Sequence, residues 1–170
     1  MVNFFTLLTL FCFAQTVYAE VSFLGRYTNQ SSSRSDDPHT EGYSLSLYRE
    51  NELVFGKICQ GTGIEIPCAP LRLVKLSEQG MLSFQARLRT GVLYTKETGS
   101  EGVPAAMLIQ FEGKMGKDMV RGRLVETSIH LQRPNERSEE IKLRHTATKT
   151  AKVKSYEDWR RITSGQWADW

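Results

Sequence analysis

The run Leu82-Ser83-Phe84-Gln85-Ala86-Arg87-Leu88-Arg89 alternates apolar and polar side chains without a break. Successive side chains of a strand point to opposite faces, so this pattern gathers its apolar half onto one surface only if the segment is extended. Met107-Leu108-Ile109-Gln110-Phe111-Glu112, Ile141-Lys142-Leu143-Arg144 and Ser44-Leu45-Ser46-Leu47 repeat the pattern, and residues 71–76 follow it less strictly. Turn-forming clusters separate them: Glu50-Asn51, Glu78-Gln79-Gly80, residues 99–104, Gly116-Lys117-Asp118 and Pro134-Asn135. With further strands over residues 21–28 and 53–58, the reading is mainly β with about eight strands, joined by connections too short for crossover helices. That predicts an antiparallel up-and-down meander. Such a sheet has one apolar face and two edges to hide, and closure into a small barrel hides both. A two-sheet sandwich is the alternative.

The alternation also sorts side chains. Leu82, Phe84, Leu88, Met107, Ile109 and Phe111 are the expected barrel interior, together with Ala86, Ile141 and Leu143. Arg87, Arg89, Arg121, Arg123, Lys142 and Arg144 then face outward as a candidate basic surface, diluted by Glu112, Glu126 and Glu140 on outward or edge positions. Over residues 119–132 the apolar phase shifts. Val120, Gly122 and Leu124 lie on one parity, and Val125, Thr127, Ile129 and Leu131 on the other, so a bulge or break is expected near Leu124.

The first nineteen residues contain no Lys, Arg, Asp or Glu, so the net charge of +3 belongs to the rest. Residues 4–14 form an apolar run of the length of a signal-peptide core, shorter than the roughly 20 residues that span a bilayer. Val17-Tyr18-Ala19 supplies the small residues of a cleavage site, so cleavage is expected before Glu20. Residues 20–170 are of single-domain size, and 40% hydrophobic with 24% charged residues excludes the disordered and collagenous classes. Loss of the leader takes Cys12 with it and leaves Cys59 and Cys68, an even pair that an oxidising compartment would join. The glycines and Pro67 between them suit a reversal between strands.

Near the C-terminus the period changes. Ser155 is an N-cap with Asp158 three residues on, Tyr156, Trp159 and Ile162 follow at helical spacing, and Gly165 stops the run, predicting one helix over residues 155–164. Trp159, Trp167 and Trp170 are the chain's 3 tryptophans, read as aromatics covering one end or side of the barrel.

Motifs for catalysis are absent. The histidines are His39, His130 and His145, and no G-x-S-x-G elbow, P-loop, H-E-x-x-H or dinucleotide fingerprint accompanies them. Asp36, Asp37 and His39 cluster in a hydroxyl-rich segment that is a candidate mouth loop, without the spacing of a calcium or zinc site. No metal, cofactor or nucleic-acid partner is expected, and Asn29-Gln30-Ser31 is an N-x-S sequon. His145 shares the parity of Ile141 and Leu143 and is expected at a rim.

In architecture the chain resembles the calycin-type secreted barrels, the lipocalins and avidins. Gly25-Arg26-Tyr27-Thr28-Asn29-Gln30 is similar to the opening strand of avidins. Tyr27 stands where the lipocalin opening has Trp, and the middle strands lack the tryptophans of an avidin pocket, so the resemblance implies a barrel but no binding residues. The functional expectation is an exported, non-enzymatic β-barrel that binds something, with a small apolar molecule as one version. The alternative is an interaction or inhibitor protein acting through its basic face, its Cys59 to Cys68 loop or its Trp-rich C-terminus, with an anionic cell-envelope component among the partners such a face would attract.

Overall fold

The computed structural model describes residues 20–32, 39–63, 66–94, 96, 99–129, 135–146 and 152–166. The strands are β1 (Ser22–Thr28), β2 (Ser31–Ser32), β3 (Thr40–Glu50), β4 (Leu53–Gly63), β5 (Cys68–Pro70), β6 (Arg72–Leu76), β7 (Met81–Leu93), β8 (Val103–Met115), β9 (Met119–Ser128) and β10 (Glu136–Thr146). They form one antiparallel sheet in the order β5-β4-β3-β1-β10-β9-β8-β7-β6, with the two-residue β2 alongside β3. The β1–β10 pairing joins the two ends of the meander, and the sheet coils into a nearly closed barrel.

Closure stops at one seam. β5 pairs with β4 and β6 pairs with β7, while the chain crosses between them at Leu71, whose N–H donates to the Gly56 carbonyl at 2.8 Å. The barrel is therefore unsealed there. The crossing is irregular: the β6–β7 register shifts between Arg72 and Lys75, and Leu73 adopts φ 50°. Coiling is helped by Gly113 and Gly122, which face each other across β8 and β9. A Cβ on Gly122 would lie 2.4 Å from the Gly113 Cα, so neither position accepts a side chain without moving the strands apart.

The barrel's middle is a packed core. Leu45, Ile58, Leu88, Ile109 and Leu124 are fully buried, and Phe84 stacks on its cross-strand partner Phe111 at 5.1 Å. Each such side chain contributes roughly 1.5–3 kcal/mol by leaving water. One end of the barrel carries the short turns at Asn51, Gly80 and Lys117 and is called here the turn end. The other carries the longer connections that follow β1, β4, β7 and β9 and is called the loop end.

The bulge expected near Leu124 does not occur. β9 runs through residue 128 with an unbroken register on both neighbours, so Val125 and Thr127 face outward and Glu126 faces inward. Keeping every ladder hydrogen bond outweighs the cost of half-exposing a valine, provided the inward carboxylate is satisfied.

Cys59 and Cys68 sit directly opposite on β4 and β5 and form a disulfide. Gln60 N–H bonds the Pro67 carbonyl, which makes the cysteines a non-hydrogen-bonded pair, the closer of the two kinds, with Cα atoms 4.0 Å apart.

The helix α1 (Tyr156–Ile162) matches its sequence signature: Ser155 Oγ accepts the Asp158 N–H at 3.0 Å, and Glu50 Oε2 accepts the Tyr156 N–H at 2.8 Å. It lies on the outside of β3 and β4. Trp159 packs there on Tyr48 and Phe55, with ring centroids 5.5 and 5.9 Å away. Trp159 thus covers one side of the barrel, while Trp167 and Trp170 fall outside the described residues.

Candidate functional site

Two places in the barrel depart from a dry core. The first is at the turn end, where the interior opens into a cavity of ≈ 730 Å³. Its apolar lining comes from Leu24, Val54, Leu76 and Met115, all buried or half-buried, and buried Tyr27 lines it as well. Burial, and then the Asp118 carboxylate, holds the Tyr27 phenol above its ordinary value, so the hydroxyl stays a donor and reaches the Gly116 carbonyl at 3.3 Å. His145 closes this side: its ring stands edge-on to Tyr27 at 5.4 Å, and its backbone N–H bonds the Asp118 carbonyl. The rim is charged, with Glu52, Glu78 and Asp118 against Arg49 and Lys117, all exposed. A second cavity of ≈ 570 Å³ follows the seam and shares Glu52, Val54, Leu76 and Ser77 with the first.

The second place is a polar cluster inside the loop end. Tyr43, Gln60, Glu126 and Glu139 project from β3, β4, β9 and β10, on the inward parities of Leu45, Ile58, Leu124 and Ile141. Glu126 is only 7% exposed. Its Oε1 accepts from the Tyr43 hydroxyl and from Gln60 Nε2, the latter at 2.8 Å. Tyr43 Oη also lies 3.0 Å from Glu139 Oε1, and the second Glu139 oxygen is 3.5 Å from the Arg137 guanidinium. A phenol has one proton, so it donates to one carboxylate at a time. Burial first, then the hydrogen bond to Glu126 and its charge, then the hydrogen bond to Glu139 and its charge, push the Tyr43 phenol far above its ordinary value, so it remains a neutral donor. Gln60 Oε1 is buried without a partner among the described residues.

The predicted site residues fall as follows. Leu82, Phe84, Leu88, Ile109 and Phe111 face inward and are buried, with Met107 beside them half-buried. They fill the middle, and of the six only Leu82 lines either of the two cavities described above. Arg89, Arg121, Arg123, Lys142 and Arg144 are exposed and Arg87 is half-buried. The six do not form one surface: Arg121 and Lys142 are cross-strand partners, whereas Arg87 and Arg89 lie on β7, nearer the loop end. Asp36 and Asp37 lie outside the described residues, and so does His130. His39 is half-buried just before β3, at the loop end. Among the described residues, no group of three or more His, Cys, Asp or Glu is placed to hold a metal ion.

Sequence reasoning missed Tyr43, Gln60 and Glu139, and assigned Glu126 to an outward or edge position. That assignment is corrected: Glu126 pairs across the ladder with Ile109, inside the barrel. The signal was present in the parity, since Glu126 continues the phase of Val120, Gly122 and Leu124.

Comparison with protein-family models, with curated proteins and with solved structures finds no match for this chain.

Proposed function

We propose that this chain is an exported, non-enzymatic binding protein that takes a small amphipathic molecule at the turn end of its barrel. The observation that carries the reading is the ≈ 730 Å³ cavity, which has the volume range of small-molecule sites. Its apolar depth suits a hydrocarbon or ring portion, and its rim of carboxylates, Arg49 and Lys117 suits a polar head left near water. The filled middle of the barrel argues against a wholly apolar ligand held deep inside. The disulfide favours an oxidising compartment, in keeping with the leader-like residues 1–19. No helix among the described residues is long and apolar enough to cross a membrane.

The test has two steps. Native mass spectrometry of protein from its own secreting cells should give a mass above that of residues 20–170 less two hydrogens, by a few hundred daltons. Purified protein should enhance the fluorescence of 1-anilinonaphthalene-8-sulfonate, and Leu24→Arg and Met115→Arg should each weaken that binding about tenfold while thermal midpoints stay within a few degrees. A bare native mass together with probe binding indifferent to both variants refutes the proposal.

A further inference from the structure

The outer face of β8, β9 and β10 carries two adjacent cross-strand rows of opposite design. In one, Glu112, Arg123 and Glu140 stand directly opposite one another, so the charges alternate in sign. In the next, Lys114, Arg121 and Lys142 do so, and all three are cations. Like charges directly opposite are unfavourable in a sheet, and the neighbouring row shows that these strands accommodate carboxylates at equivalent places. Arg144, two residues beyond Lys142 on the same face, extends the set. All four are exposed, and none of their side chains makes a hydrogen bond or ion pair among the described residues. Strand spacing puts successive cations of the row about 5 Å apart, and Arg144 about 7 Å along its strand. Row neighbours and Arg144 therefore lie within a Debye length of about 8 Å of one another, and their fields add.

We propose that the row Lys114–Arg121–Lys142, with Arg144, is a docking surface for a linear acidic polysaccharide. The row crosses the strands and so follows the barrel's curve. A flat bilayer would touch only part of it, whereas a flexible chain can bend along it. The outward side chains of these three strands include no aromatic residue, so nucleic-acid bases have nothing on which to stack. A protein partner would want an apolar centre to its interface, whereas here the apolar neighbours, exposed Met81 opposite Lys114 and half-buried Met119 opposite Arg144, stand at the margins and the centre is charged. What remains is a polymer recognised through regularly spaced acid groups, by ion pairing and counterion release.

The experiment is retention on immobilised heparin and immobilised polygalacturonate, a sulfated and a carboxylated probe, as a function of NaCl. Arg121→Glu restores an alternating row, so it should fold at least as stably as the parent while binding falls about tenfold and the salt dependence flattens. Arg87→Glu, on β7, changes net charge equally and should shift binding less than twofold. Should Arg121→Glu misfold, the pair Lys114→Gln and Lys142→Gln carries the same test with neutral side chains. Loss on heparin alone assigns the acid group as sulfate, and loss on polygalacturonate alone assigns it as carboxylate. Equal loss in Arg87→Glu, or full retention in Arg121→Glu, overturns the site. Arg121-dependent binding to phosphatidylglycerol vesicles or to a single-stranded oligonucleotide that exceeds binding to both polysaccharides overturns the partner.

Discussion

Replacing Tyr43 by Phe removes one hydroxyl from inside the barrel and leaves its shape almost unchanged. The hydroxyl donates to Glu126, which also accepts from Gln60 Nε2, and it touches Glu139 as well. With one proton it makes one charge-assisted bond at a time, and such a bond contributes about 1.5–3 kcal/mol. Tyr43→Phe should therefore cost about 2 kcal/mol, which for a domain of this size lowers the thermal midpoint by roughly 4–8 °C. Glu126→Leu should be much closer to neutral, because it removes the carboxylate whose burial created the need for a donor. In the Glu126→Leu background the phenol can donate only to Glu139, a half-exposed carboxylate that water also satisfies, so Tyr43→Phe should cost under about 1 kcal/mol there. The assay is reversible urea unfolding at pH 7, followed by tryptophan fluorescence, on all four proteins of the cycle. The coupling between the two positions should reach about 1.5 kcal/mol. An equal cost of Tyr43→Phe in both backgrounds would refute the claim that this pair secures β3 to β9.

Alkaline stability follows from the two buried phenols. Tyr43 and Tyr27 both hold their protons above the ordinary phenol value of 10.0, so the folded state binds protons that the unfolded chain has already released. Their contribution is complete below about pH 10 and is lost as pH rises toward the folded-state values, at up to about 1.4 kcal/mol per pH unit for each tyrosine. Urea unfolding at pH 9, 10 and 11 should show this fall, with Tyr43→Phe losing part of the slope, and a flat profile to pH 11 contradicts it. Opening the Cys59–Cys68 disulfide by the double substitution Cys59→Ser and Cys68→Ser should cost about 2.5–3 kcal/mol by the chain-entropy argument for a loop of about ten residues. A urea midpoint unchanged by the double substitution or by dithiothreitol would show that the β4–β5 ladder alone holds that end.

Much of the fold was legible because period-two alternation is read locally. Leu82, Phe84, Leu88, Ile109 and Phe111 announce their inward face in their own segments, and Ser155 with Asp158 announces the helix start. The disulfide needed only a count of cysteines. The seam was not legible, because it depends on where the chain leaves β4 for β7, a decision made at Leu71 by pairings distant in sequence. The polar cluster failed for a related reason. An inward carboxylate looks like an error in the hydrophobic pattern unless its partners are known, and Tyr43, Gln60 and Glu139 come from three other strands. Taken at face value, the apolar Val125 and Thr127 outweighed the parity of Val120, Gly122 and Leu124. The ladder makes the opposite choice, because a slip of one residue would also have turned Leu124 and Val120 out of the core. The cavity was invisible for a simpler reason: its wall draws on β1, β4, β6 and β8 at once.

A barrel of this size can fill its interior with side chains or leave part of it open, and this one fills its middle and stays open at one end. The Phe84–Phe111 stack, with Leu45 and Leu124 fully buried in the same core, occupies the middle. The Tyr43–Glu126 cluster then ties four strands together at the loop end, where a second opening would otherwise weaken a sheet already unsealed along one seam. Open space is left at the turn end and along the seam, where the two cavities share Glu52, Val54, Leu76 and Ser77. The cation row lies outside this scheme, on strands whose inner faces belong to the core, so its charges are free to vary without disturbing packing. That separation is what allows the two proposals to fail independently: Met115→Arg acts on the inner face of β8, and Arg121→Glu on the outer face of β9.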